Sequence, residues 1–165
     1  MRARHVWAFA AAFVVAAAVL AQVSPEAKAK SASKGGASRA VIMPDSDHKW
    51  TELSGDTPGV QIVDLWGDHT KGAFGALIKF PAGFAAPLHT HTSNMKLVII
   101  SGTVVHGPEG KSEVRLGPGS YLMQPGGSYR HTTTCDQASE CEFFIESAGK
   151  FDLKVVDGGT APAKK

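Results

Sequence analysis

Gly83-Phe84-Ala85-Ala86-Pro87-Leu88-His89-Thr90-His91-Thr92-Ser93-Asn94-Met95-Lys96-Leu97-Val98-Ile99-Ile100-Ser101-Gly102 is the stretch whose reading decides the fold. Two histidines one residue apart, His89 and His91, precede an apolar run and a closing glycine. In an extended strand alternate side chains share a face, so both imidazoles point the same way, with Cα atoms roughly 7 Å apart. Neutral imidazole is the commonest nitrogen donor to first-row metals, and each ring reaches a shared ion at about 2.0–2.1 Å. A His-x-His pair also arises by chance on polar strand faces, so the pair alone leaves both readings open. Its frame favours chelation. Pro81, Gly83 and Pro87 break the chain before it, Ser101-Gly102 break it after Val98-Ile99-Ile100, and the β-branched residues hold the strand in a buried sheet.

Working outward, the chain from Val60 reads as short β-branched runs separated by Gly, Pro and Asp turns, and helical signals are nearly absent. The expected strands are 60–66, 73–80, 87–91, 96–100, 103–106, 112–116, 120–124, 129–134, 141–146 and 151–156. Turns are expected at 66–75, 107–111 and 117–119, where Gly and Pro supply the special φ values. So many short strands in one domain point to a jelly roll, because doubling or closing the sheet covers edges that would otherwise stay unpaired.

The segment from Gly83 to Gly102 resembles the first motif of the cupin superfamily, which runs Gly, five residues, His, one residue, His, three or four residues, Glu, six residues, Gly. Gly83, His89, His91 and Gly102 fall on the pattern, but Met95 or Lys96 stands where the family carries Glu. Downstream, Gly119-Ser-Tyr-Leu-Met-Gln-Pro125-Gly126-Gly127-Ser-Tyr-Arg-His131 resembles the second motif: Gly, five residues, Pro, one residue, Gly, two residues, His. Gly119, Pro125 and Gly127 match, whereas His131 stands one residue late and Arg130 holds its slot. One extra residue reverses the face a side chain occupies unless a turn absorbs it, and Gly126-Gly127 can do so. His131 is therefore expected to face inward, since Arg130 inside an apolar barrel would be the costlier choice. The resemblance covers roughly Val60 to Val156. It implies an all-β cupin-type jelly-roll barrel in which His89, His91 and His131 hold one divalent transition metal (Fe, Mn, Zn, Ni or Cu). Met95 and Lys96 are the candidate neighbours of the ion, and strand parity counted from His89 and His91 turns Met95 inward.

Length and composition set bounds. The chain has 165 residues, 43% hydrophobic, enough for one domain with a real core. Arg2 and Arg4 precede an apolar run from Val6 to Leu20, too short for a membrane span and laid out as a secretory signal peptide, with cleavage expected after Ala21. An uncleaved anchor is the other reading. Residues 22–40 lack the large apolar side chains that ordering requires and are expected to form a flexible linker; the domain is expected over 41–157 and a disordered tail over 158–165. Residues 41–160 carry 9 Lys and Arg against 14 Asp and Glu, a net of −5, so the folded part is acidic. No basic stripe lies on it to neutralise phosphates, and nucleic-acid binding is not expected.

Cys135 and Cys141 flank a polar loop in a chain expected to be periplasmic or secreted, and facing positions of an antiparallel pair would let a disulfide form. Metal ligation is the rival reading, but Cys135 lies roughly 13 Å along the strand from His131. His69 and His106 read as solvated loop histidines. Trp66, His69 and Tyr129 are candidates for lining the pocket, and Trp66 and Tyr129 serve equally well as core packing.

Three protein nitrogens with free coordination positions describe a catalytic rather than a structural metal site. By resemblance, three-histidine cupins include oxygenases acting on small organic molecules. The leading expectation is an exported metal-binding cupin with oxygenase-like chemistry on such a molecule. The alternative is a non-catalytic module that binds a small ligand or serves as a sensor. The expected partners are that small molecule and, as an assembly, a second copy of the chain; no membrane span is expected after signal cleavage.

Overall fold

The computed structural model describes residues 39–53 and 57–156. The signal segment, nearly all of the linker and the tail lie outside the described residues. Among the described residues no helix is long and apolar enough to cross a membrane.

Among the described residues a 3-10 turn, Asp45–Asp47, leads into eleven strands: β1 (Thr51–Glu52), β2 (Gln61–Gly67), β3 (Phe74–Phe80), β4 (Ala85–Thr90), β5 (Met95–Ser101), β6 (Val104–Pro108), β7 (Val114–Leu116), β8 (Tyr121–Gln124), β9 (His131–Cys135), β10 (Cys141–Ser147) and β11 (Lys154–Val155). They form two antiparallel sheets, ordered β1-β2-β3-β10-β5-β8 and β11-β4-β9-β6-β7, the jelly-roll layout expected of a cupin.

Period-two alternation builds the interior. On β5, Met95, Leu97 and Ile99 are buried while Lys96, Val98 and Ile100 are exposed; on β10, Cys141, Phe143, Ile145 and Ser147 are buried. With Ile62, Phe74, Ile78 and Val104, the buried residues of these strands other than Ser147 form the core. Each such large side chain stabilises by roughly 1.5–3 kcal/mol when fully buried. On β9 the same alternation turns His131, Thr133 and Cys135 inward. Polar groups therefore share the interior with the apolar core.

Several expectations are corrected. In the last expected strand, 151–156, only Lys154–Val155 form a ladder, against Thr90 and His89, with Val156 N–H donating to Leu88 O at 2.9 Å, and residues 151–153 lie outside it. Gly107, expected in a turn, lies within β6. The Cys135–Cys141 disulfide is present, with Cα atoms 5.8 Å apart. It does not join a ladder pair as expected, since β9 pairs with β4 and β6 while β10 pairs with β3 and β5. It ties one sheet to the other, with both sulfur-bearing residues fully buried.

Candidate metal centre

His89 lies opposite His131 in the β4–β9 ladder, which has a bulge just before His89. His91 follows the end of β4, where the chain turns toward β5. All three histidines are buried, and their ligating nitrogens lie within 4.8 Å of one another. The one-residue delay of His131 is absorbed in the preceding turn. Gly127 takes a φ of +81° and its N–H donates to His91 O at 2.8 Å, and Gly126 N–H donates to Asn94 Oδ1 at 2.8 Å. Arg130 faces outward and pairs with Glu109 at 3.3 Å.

Tautomers follow from the partners. A carbonyl can only accept, so the ring nitrogen facing it carries the proton. His89 Nδ1 donates to Pro87 O at 2.7 Å, His91 Nδ1 donates to Asp152 O, and His131 Nδ1 reaches Tyr129 O at 3.4 Å. The Nε2 atoms are then bare. His89 Nε2 and His91 Nε2 stand 3.1 Å apart, and His131 Nε2 is buried without any partner. Two lone pairs facing at 3.1 Å, with a third nitrogen unsatisfied beside them, suit donors sharing one cation, and the carbonyls behind them are the outer partners that orient ligating histidines.

Electrostatics agree. Burial holds His89 down to about 4, and burial followed by the charges of His89, His91 and His106 holds His131 down to about 3. Burial also lowers His91 and His106. The imidazoles are neutral at pH 7 and available as ligands. The residues present thus fit a divalent transition metal.

His91 is held by the segment after β10. Besides accepting from its ring, Asp152 accepts from Thr92 N–H at 2.8 Å and from the Thr92 hydroxyl, and Lys154 donates to Thr92 Oγ1 at 2.7 Å. Phe151 places its ring 5.8 Å from that of His91. A cavity of about 40 Å³ lies against His89 and His91, lined also by Phe80, Leu97, Gln124 and Thr133. One water needs roughly 10–15 Å³ of such space, so the cavity suits a few waters or a small group.

Met95 is fully buried in the core, with Gln124 Nε2 3.8 Å from its sulfur, whereas Lys96 points outward and pairs with Glu146 at 3.3 Å. Lys96 is therefore no neighbour of the centre. His106, expected to be solvated, is 3% exposed. Its ring lies 5.0 Å from that of His131, and its Nε2 is 2.8 Å from the Tyr129 hydroxyl. Tyr129 also stacks on His131, at 5.2 Å. The signal that could have found His106 is the alternation of Val104 and His106 in an otherwise apolar run.

Trp66 does not line the centre. It is half-exposed and lies flat on Gly75, where a Cβ would stand 2.1 Å from the indole nitrogen. His69 lines a different cavity, of about 390 Å³, with Met43, Lys49, Ile62 and Asp64 among its walls. There its Nδ1 is 2.9 Å from Asp64 Oδ2, and nearby Asp68 is occupied by Lys71 and Thr70.

Residues 40–164 match the family described as "Domain of unknown function (DUF4437)", and the chain belongs to that family. No curated protein matches the chain. Among solved structures it is similar to the polyketide cyclase RemF from Streptomyces resistomycificus, with a TM-score of 0.61 and 14% identity over 72% of this chain and 86% of that one. It is similar also to an RmlC-like cupin from Ralstonia eutropha, with a TM-score of 0.56 and 21% identity over 76% and 78% of the two chains. KdgF from Halomonas aligns at a TM-score of 0.52 and 20% identity, over 66% of this chain and 94% of its own. These likenesses show that the fold is cupin-like.

Proposed function

We propose that the chain is an exported cupin that holds one divalent transition metal through His89, His91 and His131 and uses it, in oxygenase-like chemistry, on a small organic molecule. The observation that carries this reading is the convergence of three bare, buried Nε2 atoms, two of them 3.1 Å apart. A bound ion would polarise a carbonyl or enolate oxygen, or lower the pKa of its water to near 7. The protein's own part is to keep the rings neutral, to fix them through Pro87, Asp152 and Tyr129, and to shield the site with apolar side chains. The similar folds include an enzyme described as a polyketide cyclase, which is compatible with turnover of a small molecule. Export is supported by the apolar run from Val6 to Leu20 behind Arg2 and Arg4, and by a disulfide of the kind oxidising compartments maintain.

A second reading, a module that binds a small ligand without turnover, is favoured by the donor set. Among the described residues the convergent group contains no carboxylate to serve as acid or base. Metal analysis of protein from an exporting host, followed by oxygen uptake with diketones, phenols and sugars, separates the two. His89→Ala, His91→Ala and His131→Ala should each abolish stoichiometric binding, and His69→Ala should not. Full metal occupancy in His131→Ala would remove the third ligand and the proposal with it.

A further inference from the structure

We infer that His106, braced by Tyr129, is the residue that hydrogen-bonds an oxygen atom of the small molecule held at the three-histidine centre. This rests on the metal reading above. On β6 alternation places Val104 and His106 on the inner face. His106 is 3% exposed, yet its Nδ1 is buried with no partner. A buried ring nitrogen left unpaired is costly and signals a missing partner. His106 is not of the set whose nitrogens converge within 4.8 Å, so it stands beside the ligands rather than among them.

Tyr129 fixes the ring. Its plane is stacked on His106, 5.9 Å away at 20°, and its hydroxyl is 2.8 Å from Nε2. We assign the hydroxyl as the donor to Nε2; the proton then lies on Nδ1, and that buried, unpartnered atom is a donor. The group that satisfies it is an acceptor oxygen: a carbonyl, carboxylate or enolate. Substrates or ligands of this class are thereby distinguished from those that reach the ion through nitrogen or sulfur alone.

The probes are Co²⁺, followed by its visible spectrum, then acetate as an oxygen ligand and thiocyanate as a ligand without oxygen. In His106→Phe, Co²⁺ stoichiometry and thiocyanate affinity should stay within about twofold of wild type, while acetate affinity falls about tenfold. Tyr129→Phe, which keeps the imidazole, should lose about threefold for acetate alone. Nitrogen NMR of the wild-type zinc form should show His106 protonated at Nδ1, with that resonance moving on acetate addition. Unchanged acetate affinity, an equal loss for both anions, or a bare Nδ1 in the NMR spectrum each overturns the inference, and the last holds even if the variants fail to fold. Loss of Co²⁺ only in His106→Phe would make His106 a ligand and overturn it too. Failure of the wild type to bind Co²⁺ would instead sink the metal reading.

Discussion

A Cβ on Gly126 would stand 2.3 Å from the carbonyl oxygen of Thr92. The turn that delivers His131 is thus pressed onto the turn that follows the His-x-His pair, and the two halves of the centre hold each other in place. Gly127 N–H donating to His91 O completes the seam.

Gly126→Ala should therefore damage both stability and the centre. Backbone must move to admit the methyl, at a cost of about 1–3 kcal/mol, and His131 moves with it. Gly127→Ala meets no neighbour and should cost only the strain of its positive φ, about 1–2 kcal/mol. Urea unfolding with parallel Zn²⁺ titration checks both. Equal metal affinity in Gly126→Ala and wild type would show that the seam does not position His131.

The metal-free protein should weaken in mild acid. Burial first, and for His131 the neighbouring imidazoles next, hold the folded values at about 4 for His89 and about 3 for His131, below the ordinary 6.5. Between those limits the unfolded chain binds protons that the folded chain refuses, so stability rises with pH. This component is complete above about pH 6.5, shrinks as pH falls through that value toward 3, and is exhausted below. Urea midpoints at pH 7.5, 6, 5 and 4 should decline in wild type and decline less in His131→Gln. Parallel profiles would count against buried neutral histidines.

The disulfide joins the two sheets, so its loss should be felt by the whole domain. Cys135→Ala/Cys141→Ala, or reduction, should lower stability by about 2 kcal/mol. Thiol reagents should leave the native oxidised protein untouched until a reductant is added. Two reactive thiols in protein taken from an oxidising compartment would contradict this.

Met95 should respond strongly, and Lys96 hardly at all, to the same substitution. Met95 is fully buried and Lys96 exposed, so Met95→Glu buries a carboxylate and should destabilise metal-free protein by several kcal/mol. Mn²⁺ should restore much of that loss and bind more tightly than to wild type, as a fourth, anionic donor joins three imidazoles. Lys96→Glu, which only replaces a surface ion pair with Glu146, should change neither by more than about 1 kcal/mol. If Lys96→Glu alone altered metal preference, strand parity would have been misread.

What the residues determine by themselves is local. Two-residue spacing makes His89 and His91 partners, and alternation within the next apolar run sets Met95, Leu97 and Ile99 inward and Lys96 outward; Gly, Pro and Asp mark most turns, and the Cys135–Cys141 spacing allows closure of a short loop. These follow from the two-residue period and from allowed φ values, which act between near neighbours. The tertiary structure decides which strands lie side by side. Only the β4–β9 pairing sets His131 opposite His89, and only the β6–β9 pairing and the turn before β9 bring His106 and Tyr129 to that group. The carbonyl that orients His91 belongs to Asp152, 61 residues away. Trp66, an aromatic eligible for the pocket by sequence, is carried off by its bulged strand onto Gly75. Such contacts are fixed when two sheets close over a shared core, a nonlocal burial of apolar surface that no single segment encodes.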